Sequence, residues 1–298
     1  MRAIHLPNCY APMNTRARVF AGTAHWAFVV ISIAVLWYGF QIVFFSIYAM
    51  WAQTPRIVSN PAVLDEFAYG STPAAVRWTL TTFAIYTGLL LASTRAFHGV
   101  GLRQLVGPIP TAWHEFWRVS LYLIPIYALL TVPSLFDPEA EQQFGVAEWL
   151  SLLPAILPLL FIQISAEELV FRGYLQSHIA ALTQHPIIWM GLPSFLFGLI
   201  HYDPLTVPYS AWAYVAWATC LGLVCADLTA RSGTLGPAFA VHFINNVGAL
   251  VILAADDWLY GAALFVWPMH GLAWEPWIPF EALLLVTVWL SARLAIRR

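Results

Sequence analysis

From residue 26 to the C-terminus, apolar stretches of roughly 15 to 25 residues follow one another with only short polar breaks, and this succession leaves few folds open. Of the 298 residues, 60% are apolar and 9% are charged, and the mean hydropathy is +0.72, so there is too little polar side chain to cover a water-soluble globule. The chain reads as an all-α, polytopic transmembrane helical bundle with lipid as its solvent. About eight spans fit, at 26–50, 76–94, 115–133, 149–182, 187–202, 211–230, 237–255 and 278–296. The fourth carries Pro154 and Pro158 and runs straight into the polar segment Ser165-Ala-Glu-Glu-Leu-Val-Phe-Arg172, which predicts one long, kinked helix.

The basic residues are all Arg, and their placement gives a topology. Arg2, Arg16 and Arg18 precede the first span, Arg95 and Arg103 follow the second, Arg231 follows the sixth, and Arg297 and Arg298 close the chain. The opposite loops carry Arg56, Asp65, Glu66, Asp137, Glu139, Glu141, Glu148, Asp256 and Asp257. Positive residues concentrate on the cytoplasmic side of membrane proteins, so both termini are expected in the cytoplasm. Trp51, Trp149, Trp258, Trp274 and Trp277 fall at expected interfaces. The apolar run after Ala24 has the length of an anchor rather than of a removed signal peptide. Cys9, Cys220 and Cys225 have neither metal-binding nor disulfide spacing. A net charge of −2 gives no reason to expect a nucleic-acid partner. The chain is expected to form a single membrane domain over 1–298, with a core at 115–255 and additional N-terminal spans in 1–114.

Ionisable side chains at membrane depth cost about 2.5 to 3.5 kcal/mol each on insertion scales, so those that persist need a partner or a purpose. Three groups stand out: Glu167, Glu168 and Arg172; His201, closing Phe197-Gly-Leu-Ile-His; and His242 with Asn245 and Asn246. Glu168 and Arg172 are four apart and can pair on one helix face. Glu167 is rotated about 100° away and has Phe171 at its own i+4 position, so it is left as a desolvated carboxylate able to act as general base on water. His242 and Asn246 are also four apart and can aim two donors at an oxyanion, where one donor contributes about 3 to 4 kcal/mol. His201 could orient the same water. Counted along straight helices from the span ends, Glu168 and His201 both lie about 21 Å deep, His242 only about 8 Å and Asn246 about 14 Å. The third group therefore looks too shallow unless tilt or a re-entrant loop at 231–237 lowers it.

Glu-Glu-x-x-x-Arg at 167–172, Phe-x-x-x-His at 197–201 and His-x-x-x-Asn at 242–246 resemble the three ordered motifs of the CPBP family, the CAAX-protease and Abi-like intramembrane glutamic endopeptidases. The resemblance implies that Glu167 and His201 activate the water, that His242 and Asn246 stabilise the oxyanion, and that Glu168 and Arg172 support the site. It implies an intramembrane peptidase acting on a membrane-anchored protein or peptide. No cofactor follows from these residues, and they leave the involvement of a metal open.

His114-Glu-Phe-Trp-Arg118 lacks the second His of a zincin, and neither Gly-x-Ser-x-Gly nor Gly-x-Gly-Asp occurs, so other protease classes find no support. Singly, each polar group has a structural reading: an ion-pair latch, a His closing a helix, amides bonding across helices. Their joint occurrence in this order favours a site. The alternatives are a catalytically silent binding or immunity protein of the same fold and a transporter, the latter weakened by the lack of paired repeats. Asp227 and Arg231 read as an interfacial ion pair, while His5, His25, His98, His178, His185 and His270, at loops or span ends, are assigned no role.

Overall fold

The computed structural model describes residues 8–35, 38–39, 62–134, 136–202, 208–256, 258–268 and 278–297. Within them lie the helices α1 (Ala11–Phe20), α2 (Trp26–Val35), α3 (Ala62–Tyr69), α4 (Pro73–His98), α5 (Leu102–Val106), α6 (Ile109–Ser134), α7 (Val146–Leu182), α8 (Ile187–Leu199), α9 (Pro208–Ser232), α10 (Gly236–Ile252) and α11 (Ile278–Ala295). Five of these, α4, α6, α7, α9 and α11, are long and apolar enough to cross a membrane. The apolar α2, α8 and α10 are shorter and lie where further spans are predicted. The chain is an all-α, polytopic membrane protein. Most of the predicted first span, together with Arg2, His5, Trp51, Arg56, Asp257, His270, Trp274, Trp277 and Arg298, lies outside the described residues.

Local chemistry sets the helix ends. Thr72 caps α4 by accepting from the Ala75 amide, Pro73 occupies its first turn, and Gly99 ends it with φ of +68°, a conformation open to glycine at little cost. Helix α7 is, as predicted, one long element of 37 residues, about 55 Å at 1.5 Å per residue. It runs through Pro154 and Pro158, and its irregularity lies further on, in a π-helical stretch over Leu169–Gln176 whose eight residues are all buried.

The site is positioned by close helix contacts. Helix α8 packs on α9 at Gly198, where a Cβ would collide with Thr219 Oγ1 and come within 2.6 Å of the Val215 carbonyl. Small residues allow such approach where lipid gives helices no hydrophobic reason to associate. Helix α10 packs on α6, and a Cβ on Gly236 would strike the Ala112 carbonyl. The turn before α10 is not at a surface: Thr234, Leu235 and Gly236 are buried, the Leu235 amide donates to Val106 O at 2.9 Å, and Pro12 of α1 presses on Gly233.

Helix α1 is where the sequence reading needs correction. Arg16, counted among the loop cations, is fully buried: it donates to Leu105 O at 2.5 Å, to Gly233 O at 3.3 Å and to Ser177 Oγ at 3.3 Å. Burial pushes its guanidinium down to about 10. Met13, Ala17 and Phe20 on the same helix are buried beside it, so α1 is a strap across the ends of α5, α7 and α9. Asp227 and Arg231 do pair, at 2.8 Å, and the same carboxylate also accepts from Tyr10 and Trp289 and faces Arg293.

The seventh predicted span, 237–255, stops short of its expected end. The helix closes at Ile252, and Leu253–Ala255 turns extended as β1 of a small sheet. With β2 (Phe265–Trp267) it pairs in parallel, and β2 pairs antiparallel with Glu141–Gln142, so that Ala254 faces Val266 and Val266 faces Glu141. A second apolar cluster, including Val76, Leu80, Ile156, Leu160, Val251 and Leu259, forms the core at this end of the bundle.

Candidate active site

All three predicted polar groups meet between α7, α8 and α10. On α7, Glu168 is fully buried, and its Oε1 accepts both from Arg172 Nη1 at 2.9 Å and from His242 Nδ1 at 2.8 Å. The expected i,i+4 ion pair forms, and a histidine from another helix completes it. The Arg172 guanidinium also lies over the Phe197 ring, 4.4 Å from its centroid.

Glu167 has a different environment. Its side chain keeps 11% of its surface open, and it has no basic residue one turn on. Gln163 Nε2 donates to its Oε1 at 2.7 Å. Its Oε2 lies 3.5 Å from His242 Nε2 and has no hydrogen-bond partner among the described residues. One histidine thus bridges the two adjacent carboxylates, Nδ1 to the closed one and Nε2 to the partly open one.

His201 follows α8, and its Nδ1 donates to the Phe197 carbonyl at 2.8 Å, which fixes the ring and leaves Nε2 as an acceptor. Phe197, which opens the Phe-x-x-x-His motif, has a clear physical task here: its ring meets His201 edge-on at 4.8 Å and His242 at 5.6 Å while stacking under Arg172. Asn246 Nδ2 donates to Gln163 Oε1 at 3.1 Å, and its own Oδ1 accepts from Asn245 Nδ2 at 3.2 Å. Tyr127 of α6 donates to Asn245 Oδ1 at 3.1 Å.

The depth mismatch expected for His242 and Asn246 is therefore absent. Counting from Pro237 assumed that α10 begins at the membrane surface, whereas its first turn is buried beneath α1 and α5 and already lies inside the protein.

Gln163 and Tyr127 were not legible as site residues. Gln163 stands four before Glu167 in an apolar run, a helical-face signal that could have found it. Tyr127 had none, being one tyrosine among several in an apolar helix. Elsewhere, His178, near the end of α7 and assigned no role from the sequence, is fully buried: its ring lies 5.1 Å from that of His98, and its Nε2 accepts from the His25 amide at 3.1 Å. Among the described residues, no group of three His, Cys, Asp or Glu is arranged to hold a metal ion.

The segment that carries all three groups matches a known family, described as type II CAAX prenyl endopeptidase Rce1-like, over residues 149–248. Residues 149–248 are thus similar to that family. The Rce1-like match ends just past Asn246, so it contains the site and leaves α1 to α6 outside it. Over 175 residues the chain is also 29% identical to the uncharacterized protein YyaK of Bacillus subtilis, covering 56% of this chain and 58% of that relative's length. No solved structure matches. The family's description is that of an endopeptidase, and the five long apolar helices are those of an integral membrane protein.

Proposed function

We propose that the chain is an intramembrane endopeptidase in which Glu167 is the general base. The observation that carries this reading is the contrast between two neighbouring carboxylates: Glu168 is fully buried and ion-paired with Arg172, while Glu167 keeps 11% of its side chain open, has no cation one turn on and holds Oε2 3.5 Å from His242 Nε2. Glu167 takes a proton from a water, and the resulting hydroxide adds to the scissile carbonyl carbon. Nε2 of His242 and the second N–H of the Asn246 amide stabilise the oxyanion. The tetrahedral species then collapses as Glu167 returns the proton to the departing amine, giving a carboxylic acid and a free amine. His201, with Nε2 free, orients the water.

In this reading Glu168 fixes the His242 ring through Nδ1, and the Nε2 edge of that ring faces the reacting centre. The substrate class is a membrane-anchored protein or peptide, with prenylated C-terminal tails one candidate, and the location is a cell membrane with both termini cytoplasmic. The 115–255 region is the catalytic core, to which the N-terminal spans are added.

The test is peptide cleavage by purified protein, with substrates found by mass spectrometry of membranes with and without the chain. Glu167→Gln, His201→Ala and His242→Ala are each expected to lower kcat by about 100-fold or more. Full activity in all of them sinks the proposal, and a cellular effect that survives Glu167→Gln marks a binding protein instead.

A further inference from the structure

The polar bonds around Glu167 form a directed chain. Tyr127 donates to Asn245, Asn245 to Asn246, Asn246 to Gln163, and Gln163 to Glu167, at 3.1, 3.2, 3.1 and 2.7 Å. Every link is side chain to side chain, each amide uses its oxygen toward one neighbour and its nitrogen toward the next, and the series ends on a carboxylate oxygen. Such chains polarise cooperatively toward the charge at their end.

Gln163 is the link that joins elements. It lies on α7, is buried, and uses its oxygen on Asn246 of α10 and its nitrogen on Glu167 of its own helix. A buried amide costs free energy unless both ends are satisfied, and an apolar residue would suit the surrounding run Ile156–Ile164 without that demand. Both ends are satisfied here, and by the two residues read above as base and oxyanion donor. We propose that Gln163 is a positioning residue that sets Glu167 and Asn246 as one unit, with the Asn245–Tyr127 arm anchoring it to α6. This rests on the assignment of Glu167 and Asn246 given under the proposed function.

Geometry gives the reason. Donation by Gln163 occupies Oε1 and fixes the carboxylate plane, so that Oε2 alone is presented toward His242 and the reacting water. Acceptance from Asn246 uses one N–H of that amide and holds the other in a single direction. Preorganised groups of this kind act on the barrier rather than on ground-state binding.

The experiment compares kcat and KM for wild type, Gln163→Met, Gln163→Glu, Asn246→Ala, Tyr127→Phe, Glu167→Ala and the pair Gln163→Met with Asn246→Ala, with thermal unfolding in detergent as the fold control. Gln163→Met, nearly isosteric and unable to bond either partner, is expected to lower kcat about 10- to 100-fold with KM changed less than about 3-fold. Gln163→Glu keeps the acceptor for Asn246 but sets a carboxylate against Glu167, and loses at least as much; it also serves if the Met variant fails to fold. Tyr127→Phe loses about 3-fold, and the pair loses no more than its worse member because the residues act together. If Glu167→Ala is inactive while Gln163→Met or Gln163→Glu stays within about 2-fold of wild-type kcat, or if either raises KM alone, the positioning role is overturned and the endopeptidase reading stands. Activity retained by Glu167→Ala overturns both.

Discussion

Adjacent side chains on one helix can differ entirely in what they contribute. Glu168 is fully buried with Arg172 and His242 around it, so removing Arg172 leaves a buried carboxylate short of its cation and strips the cover from Phe197. Arg172→Ala is expected to cost about 3 to 5 kcal/mol of stability, read as a lowered unfolding midpoint in detergent, and Arg172→Lys recovers only part because lysine lacks the planar group that stacks on the ring. Glu167→Gln is expected to leave the midpoint within about 0.5 kcal/mol of wild type, since the replacement amide can still accept from Gln163. A loss of stability as large as that of Arg172→Ala would mean that Glu167 is a structural ion rather than a base.

At the level of elements, the site depends on how closely helices approach. His201 is placed by the α8–α9 crossing, and that crossing depends on Gly198 lying against Thr219 and Val215. Gly198→Ala is therefore expected to push α8 outward, costing about 1 to 3 kcal/mol and lowering activity by displacing His201, whereas Gly191→Ala, whose Cβ would meet only Ile187 Cγ2 at 3.8 Å, is expected to do neither. Equal tolerance at both positions in unfolding and cleavage assays would contradict this packing. The π-helical stretch that begins directly after Glu168 buries every one of its residues, Arg172 among them, so the cation is delivered to the interior by the element least like a regular helix.

Over the whole molecule, the two ends of the bundle differ in chemistry. One end gathers α1, α5, the close of α7 and the Asp227 cluster, where Tyr10 near one terminus and Arg293 near the other meet the same carboxylate. The other end holds the three-stranded sheet with Glu139 and Glu141 nearby and the start of α7. A 37-residue α7 separates them by about 55 Å. An impermeant maleimide is expected to reach the exposed Cys9 and a Glu141→Cys variant from opposite faces of sealed vesicles, with Cys9 on the cytoplasmic face. Labelling of both from one face would overturn this topology.

Sequence alone determined the solvent, the helical class and the place of the five long apolar helices, because in a membrane each segment must satisfy its own backbone and its own ions. It also determined the Glu168–Arg172 pair, since both partners sit on one helix. What only the tertiary structure decided was depth and partnership between elements. The buried turn at Gly233–Gly236 carries His242 down to Glu167, Arg16 goes inside to meet carbonyls of distant segments, Leu253–Ala255 leaves the helix for a strand, and Gln163 joins Asn246. Those outcomes turn on contacts across up to 217 residues of chain, and no local period or spacing encodes which helix ends lie beneath which others.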